Sequence, residues 1–153
     1  MFRAPFFKVA GTALLSAGLV MAQGAAAQDA SAAAGSDVLL ELNGLADADA
    51  GGCAVTFLTT NRLPQGLQRA IWQVAIFNTD GVVTALPALD FGALVAGKTR
   101  VKTFVIPGTT CTSLGRIVVN DVVDCTAEDG SDLRNLCLSN LATQNRSNIE
   151  FGI

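Results

Sequence analysis

The sequence predicts an all-β fold, an antiparallel sandwich of about seven to eight strands with a short helical turn near the C-terminus. Three observations lead to this prediction. Between residues 70 and 125, short apolar runs alternate with Asp-Gly, Pro and Gly breaks. Several of these runs place apolar residues at every second position, which is the side-chain period of a strand. The chain has four cysteines and an export signal, which together indicate a small domain braced by two disulfides.

The first 27 residues are organised as a secretory signal peptide. Arg3 and Lys8 supply a positively charged start, Val9–Ala22 is an uncharged apolar run, and Ala25–Ala27 offers the small residues that a signal peptidase recognises. The apolar run is shorter than the roughly 20 residues needed to span a bilayer. We therefore expect cleavage after Ala27, no transmembrane anchor after cleavage, and a periplasmic or secreted protein.

One domain is predicted after the leader. Residues 28–36 are small and polar, so we expect a disordered lead-in, followed by a single disulfide-linked domain at 37–153. Without the leader, eight basic side chains remain against thirteen acidic ones, a net charge of −5. Nucleic acid requires a net cationic footprint, so no nucleic-acid partner is expected.

The first four strands follow from local patterns. Asp37–Asn43 is predicted as a strand because its apolar side chains alternate, although its leucine content also suits a helical turn. Alternation and β-branched residues favour a second strand at Cys53–Thr60. Leu67–Asn78 has apolar residues on both faces, which predicts a central strand buried on both sides. Asp80-Gly81 suits a tight hairpin that requires positive φ, and it leads into a strand at Gly81–Ala85.

The middle of the domain contains an irregular segment between strong strand signals. Pro87–Gly97 carries apolar residues without a regular period, so no strand is predicted there. Thr99–Ile106 is bounded by Gly and Pro breaks and is predicted as a strand. Leu114–Val123 is the last long apolar strand.

Little regular structure is predicted at the C-terminal end. Ser131-Asp132 can cap a short helix that places Leu133, Leu136 and Cys137 on one side. Asn140–Ser147 is polar, and no element is assigned to it. Ile149–Ile153 is predicted to add a final edge strand.

All four cysteines lie in the predicted domain, and three disulfide pairings are possible. We favour Cys53 with Cys111, which ties an early strand to a late one, and Cys125 with Cys137, which closes a short loop. The spacings do not resemble those of thiolate metal sites, so no metal and no cofactor are predicted.

Parts of the chain resemble a known kind of domain. Trp72–Phe77, the turn Asn78–Val83 and the segment Val95–Thr99 resemble small immunoglobulin-like β-sandwich domains of bacterial envelope proteins. The chain is also similar to small secreted proteins of Gram-negative bacteria, which share the run Gly115-Arg116, Asn120-Asp121 and Cys125. It departs from antibody domains in lacking their strand-to-strand cysteine pair and corner tyrosine. The resemblance implies an immunoglobulin-like antiparallel sandwich and implies no activity.

The absence of histidine restricts the possible chemistry. A Ser-His-acid triad and a Cys-His dyad both need an imidazole to accept the nucleophile's proton, so no catalytic residue is predicted. The alternative is a carboxylate-type hydrolase that uses Asp121 and Asp124, since two carboxylates about 5 to 10 Å apart serve glycoside hydrolysis. A solvated turn is the preferred interpretation, because one Trp and no Tyr leave few aromatic platforms for a sugar.

Three basic residues are the candidate binding site. Lys98, Arg100 and Lys102 alternate, so in a strand they would line one face of an otherwise acidic protein. Such a stripe would dock an envelope protein or an anionic surface, and the alternative is charged protection of an edge strand. We therefore expect an exported non-catalytic binding or structural module of the cell envelope. A further alternative is a small inhibitor of exported hydrolases that uses Asn61–Gly66 or Gly108–Ser113 as an exposed loop.

Overall fold

Strands make up most of the domain. The computed structural model describes residues 37–49 and 51–153, so the predicted signal peptide at 1–27 and lead-in at 28–36 lie outside the described residues. Within them, a 3₁₀ turn at Cys111–Ser113 and one helix, α1 at Arg134–Ser139, accompany nine strands. The strands are β1 Val38–Asp47, β2 Cys53–Asn61, β3 Leu67–Asn78, β4 Val83–Ala85, β5 Ala88–Leu94, β6 Thr99–Ile106, β7 Leu114–Ala127, β8 Leu141–Asn145 and β9 Glu150–Gly152.

The strands form two sheets, which confirms the predicted all-β sandwich. The first sheet has the order β6-β2-β1-β8, and the second has the order β4-β3-β7-β9 with β5 also paired to β3. β4 and β5 lie along the same edge of β3, one after the other. Most pairs are antiparallel as predicted, but β8 joins β1 and β9 joins β7 in parallel, so both sheets are mixed.

The core lies between the two sheets and follows the alternation of the sequence. In β2, every second side chain from Cys53 is buried and the others are half-buried. Trp72 is fully buried in β3, and its ring centroid lies 5.4 Å from that of Phe91 in an edge-to-face contact. On the other face of β3, Ile71 and Ala75 are only 8% and 6% exposed, whereas Gln73 and Phe77 are half-buried. The predicted central strand is therefore fully buried on one face and partly buried on the other.

Two segments to which the sequence pattern assigns no element contain strands. Pro87–Gly97 includes β5, whose alternation is interrupted at Gly92, where φ is +71° and the pairing with β3 shifts register. Asn140–Ser147 includes β8, which pairs in parallel with β1 and buries Leu141. The local pattern does not indicate these strands because the pairing partner, which that pattern does not reveal, stabilises them.

The favoured disulfide pairing is confirmed. Cys53 is joined to Cys111 with 4.9 Å between the Cα atoms, which ties the start of β2 to the 3₁₀ turn. Cys125 is joined to Cys137 with 6.5 Å between the Cα atoms, which ties β7 to α1. The indole N–H of Trp72 donates to the carbonyl of Cys137 at 3.3 Å, so α1 is held to the core by a covalent bond and a hydrogen bond.

Asn61 connects the end of β2 to two other segments. Its side-chain amide is buried and donates to the carbonyls of Gln65 and Leu94, both at 3.0 Å. Its side-chain oxygen accepts the backbone N–H of Leu63 at 3.0 Å. The loop after β2 and the end of β5 are therefore held by one fully used amide group.

We expect opposite results from two substitutions of neighbouring buried polar residues. Asn61→Leu should lower the free energy of unfolding by about 3 kcal/mol or more, because it leaves two carbonyls and one N–H without their partner. The Thr59 hydroxyl is buried and has no hydrogen-bond partner among the described residues. Thr59→Val should therefore raise stability by about 1 kcal/mol. Urea unfolding of both variants measures the difference, and equal losses would contradict this account.

The two disulfides should contribute unequally to stability. Replacing Cys53 and Cys111 by Ala opens a loop of sequence separation 58 and should cost about 4 kcal/mol. Replacing Cys125 and Cys137 opens a separation of 12 and should cost about 3 kcal/mol. Each double variant is the control for the other, since each removes two sulfur atoms by the same Cys-to-Ala change. Denaturant titration checks the order, and a reversed order would refute the chain-entropy explanation.

Candidate functional site

The basic residues of the predicted stripe lie on and beside β6, the outermost strand of the first sheet. β6 pairs with β2 so that Arg100 lies beside Thr59 and Lys102 beside Phe57. Phe57 is a core residue, so Arg100 and Lys102 project from the inner face of the sheet. Lys98 lies in the turn before β6 and is exposed.

Arg100 and Lys102 reach across to the second sheet. The guanidinium of Arg100 donates to the carbonyl of Ala93 at 2.8 Å, and the ammonium of Lys102 donates to the carbonyl of Asp90. Both carbonyls belong to β5. The Lys102 ammonium also lies 5.4 Å from the ring centroid of Phe104. The two cations therefore span the opening between β6 and β5.

Neither cation forms a salt bridge among residues 37–49 and 51–153. Asp90, whose backbone carbonyl accepts from Lys102, pairs through its carboxylate with Arg69 at 2.9 Å, and the Lys102 charge is the smallest cause that lowers the pKa of Asp90. Arg100 and Lys102 have more donors than these carbonyl contacts use, so both can still bind an acceptor.

The far edge of β6 has no paired strand in the described part of the chain. The backbone hydrogen bonds of Asn61, the last residue of β2, fix the pattern of pairing with β6. Its N–H donates to the carbonyl of Lys98, and its carbonyl accepts the N–H of Gly97. Backbone groups alternate in direction along an antiparallel pair, so Arg100 and Lys102 bond to β2. The N–H and C=O of the residues between and around them therefore face the open edge: Thr99, Val101, Thr103 and Val105.

The outer face of β6 carries no charged side chain. Val101 and Val105 are 61% and 55% exposed. The hydroxyls of Thr103 and Thr56 lie 2.9 Å apart, and those of Thr99 and Thr60 lie 2.8 Å apart. The face is thus formed by alternating rows of threonine and aliphatic side chains.

An apolar groove opens beside the end of β6. It has a volume of about 360 Å³. Its walls come from both sheets and are Ala85, Leu86, Pro87, Leu89, Val105, Ile106 and Pro107. Leu86 is 53% exposed there, so the groove presents aliphatic surface to solvent at the same opening that Arg100 and Lys102 span.

Asp121 and Asp124 both lie on β7, where they accept different hydrogen bonds. The register between β3 and β7 shifts between Gln73 and Val74, next to the pair Gln73–Asp121, and again between Ile71 and Trp72. Asp121 accepts the backbone N–H of Val122 at 2.7 Å, whereas Asp124 accepts the hydroxyl of Thr126 at 2.6 Å. Only Asp121 lines the cavity beside β7, which has a volume of about 340 Å³.

An exposed ion pair occupies the other side of that cavity. Arg134 donates to Asp132 at 2.7 Å, and this contact together with the backbone N–H of Arg134 lowers the pKa of Asp132 to about 2. The same partner raises the pKa of Arg134, with a smaller contribution from Asp124 and Asp121. Asp132 is therefore an ionised partner of Arg134 at neutral pH, and the cavity holds a compensated pair of charges.

The two predicted inhibitor loops differ in exposure. In Asn61–Gly66, Leu63 is buried and the side chain of Asn61 turns inward. Gly108–Ser113 is mostly exposed and is anchored by the disulfide at Cys111. The second loop is the more accessible of the two.

Comparison with known proteins identifies no relative. No protein-family model, curated protein or solved structure matches the chain. The resemblance to immunoglobulin-like domains therefore rests on the sequence pattern. Within the described ranges, no helix combines the length and the apolar character needed to cross a membrane.

Arg69 should control the ionisation of Asp90. Its hydrogen bond is the largest cause that lowers the pKa of Asp90 below 3.8, and the Gly92 N–H and the Lys102 charge act in the same direction. A lowered pKa means that this carboxylate favours the folded state above about pH 4, and that this contribution is lost as the pH falls through its folded-state pKa.

We expect Arg69→Gln to raise the pKa of Asp90 toward 3.8, as measured by NMR titration of the side-chain carboxyl carbon. Arg134→Gln is the matched control, since it should raise the pKa of Asp132 and leave Asp90 unchanged. An Asp90 titration that is identical in the wild type and in the Arg69 variant would refute the assignment.

Proposed function

We propose that this protein is an exported, non-catalytic binding module of the cell envelope that receives an extended partner segment along β6. The observation that carries the proposal is the unpaired far edge of β6 in the described chain. An open edge offers a row of backbone donors and acceptors to which another strand can add. The direction of backbone groups alternates along β6 from its hydrogen bonds with Asn61, so Val101 and Thr103 contribute to this row.

The composition of β6 favours this use of the edge. Natural proteins commonly block an open edge with proline, a bulge or charges, including inward-pointing charges. β6 runs for eight residues without proline, and its outer face carries threonine and valine. Its two charges are directed inward, where they repel a strand of like charge and would attract an acidic incoming strand.

The covalent framework is compatible with export. Disulfides persist in the periplasm and outside the cell, whereas cytoplasmic thiols are kept reduced. The two disulfides, Cys53–Cys111 and Cys125–Cys137, fix both sheets, and a rigid edge loses little conformational entropy when it binds. The predicted signal peptide at 1–27 supports the same compartment.

Thr103→Pro tests the proposal. Proline removes the N–H that faces the open edge and leaves the hydrogen bonds between β6 and β2 in place. We expect Thr103→Pro to lose the envelope proteins that the tagged wild-type protein retains in a pull-down, identified by mass spectrometry.

Thr103→Val is the matched control. It removes the same hydroxyl contact with Thr56 as the proline variant but keeps the backbone N–H. It should therefore retain the wild-type partners. If Thr103→Pro and wild type retain the same proteins, the edge of β6 is not the binding surface.

A further inference from the structure

The features beside the open edge of β6 specify the chemistry of the incoming segment. We propose that the partner is an extended peptide that pairs antiparallel with β6 and whose inward-facing side chains are first two apolar residues and then two acidic residues. This inference rests on the proposed function, because it names the partner class for the same edge. Three observations carry it: the backbone direction, the two cations and the groove.

The direction of the β6 backbone determines which partner residues face inward. The backbone groups of Val101 and Thr103 point to the open edge, so partner residues opposite them share their outward face. Partner residues opposite Arg100, Lys102 and the inward residues that follow must then point inward. Inward and outward positions alternate along the partner, because the side-chain period of a strand is two.

The two cations select acidic residues at two of the inward positions. Arg100 and Lys102 use carbonyls of β5 as acceptors and form no salt bridge in the described chain. A carboxylate directly opposite each of them would gain a charge-assisted hydrogen bond. Opposite charges at directly facing strand positions stabilise the pair, and like charges destabilise it.

The groove selects apolar residues at the other inward positions. Ile106 and Pro107 form one wall, and Leu86 and Leu89 form the other. A partner running antiparallel to β6 meets this end first and reaches Lys102 and Arg100 afterwards. The predicted pattern is therefore apolar, any, apolar, any, acidic, any, acidic.

The same cations disfavour a second copy of this chain on the edge. Antiparallel pairing of two β6 strands about Val101 or Lys102 would place Arg100 and Lys102 of one copy opposite or diagonal to the same residues of the other. Pairing about Thr103 would still leave the two Lys102 residues diagonal to each other. Repulsion between these charges would oppose the contact. This repulsion is not reduced by a local salt bridge, because the salt bridges of the described chain involve Arg69, Arg134 and Arg146.

The test measures binding of capped, fluorescent peptides to the purified exported protein by anisotropy at low ionic strength. The probe is T-V-T-V-T-E-T-E-T, and its control is the charge-reversed T-V-T-V-T-K-T-K-T. We expect the glutamate peptide to bind about tenfold tighter than the lysine peptide, since two facing charge pairs change from repulsive to attractive. Arg100→Glu with Lys102→Glu should reverse this preference, and Arg100→Gln with Lys102→Gln should remove it.

A matched double variant carries the same change of charge elsewhere. Arg116→Glu with Arg134→Glu lies on β7 and α1 and should leave the preference for the glutamate peptide unchanged. Should both double charge reversals weaken binding equally, net charge and not the β6 site would explain it, and the inference falls. Equal affinity for the two peptides, or no saturable binding of either, overturns it as well.

These outcomes are distinguishable from failure of the proposed function. If Thr103→Pro abolishes partner capture but the peptides show no charge preference, the edge binds a partner of other chemistry and only this inference is lost. If sedimentation shows a wild-type dimer that Thr103→Pro dissociates, the edge belongs to a second copy and the inference is again overturned. Binding of the glutamate peptide that Thr103→Pro abolishes supports both.

Discussion

Packing of aromatic rings around Phe57 joins the two sheets and positions the strands that matter for binding. Its ring makes edge-to-face contacts with Phe91, Phe104 and Phe151, at centroid separations of 5.9, 6.2 and 5.5 Å. These rings belong to β5, β6 and β9, so one side chain of β2 touches both sheets. Edge-to-face pairs add to the free energy gained by burial and constrain the angle between rings. The opening between β5 and β6 is set by this cluster.

The same cluster explains why the cations lie where they do. Phe104 and Phe57 occupy the inner face of the first sheet, and Lys102 is directly beside Phe57 in the pairing of β6 with β2. The methylene groups of Lys102 therefore lie at the rim of the core, and its ammonium extends to the backbone carbonyl of Asp90 on β5. An interpretation as edge protection and an interpretation as partner recognition both follow from this geometry. An inward cation repels a like strand and attracts an acidic one.

The acidic side chains of β7 are arranged differently. Asp121 and Asp124 accept hydrogen bonds from different groups, both raise the pKa of Arg134, and the ion pair of Asp132 with Arg134 neutralises charge at the cavity beside Asp121. The carboxylates there accept hydrogen bonds from neighbouring residues in the sequence. These contacts stabilise the local turn and strand geometry.

The sequence by itself determined the features that depend on local pattern: the alternation of β2, β3 and β6, the turn at Gly81, the helix near Cys137 and the favoured cysteine pairing. Only the tertiary structure decided that 88–94 and 141–145 are strands, because each depends on pairing with β3 or β1 and has little signal of its own. The alternation of Arg100 and Lys102 predicted that they share a face. Whether that face is the outer surface or the opening between the sheets depends on which side of β6 packs against β5, and a period of two contains no information about that choice.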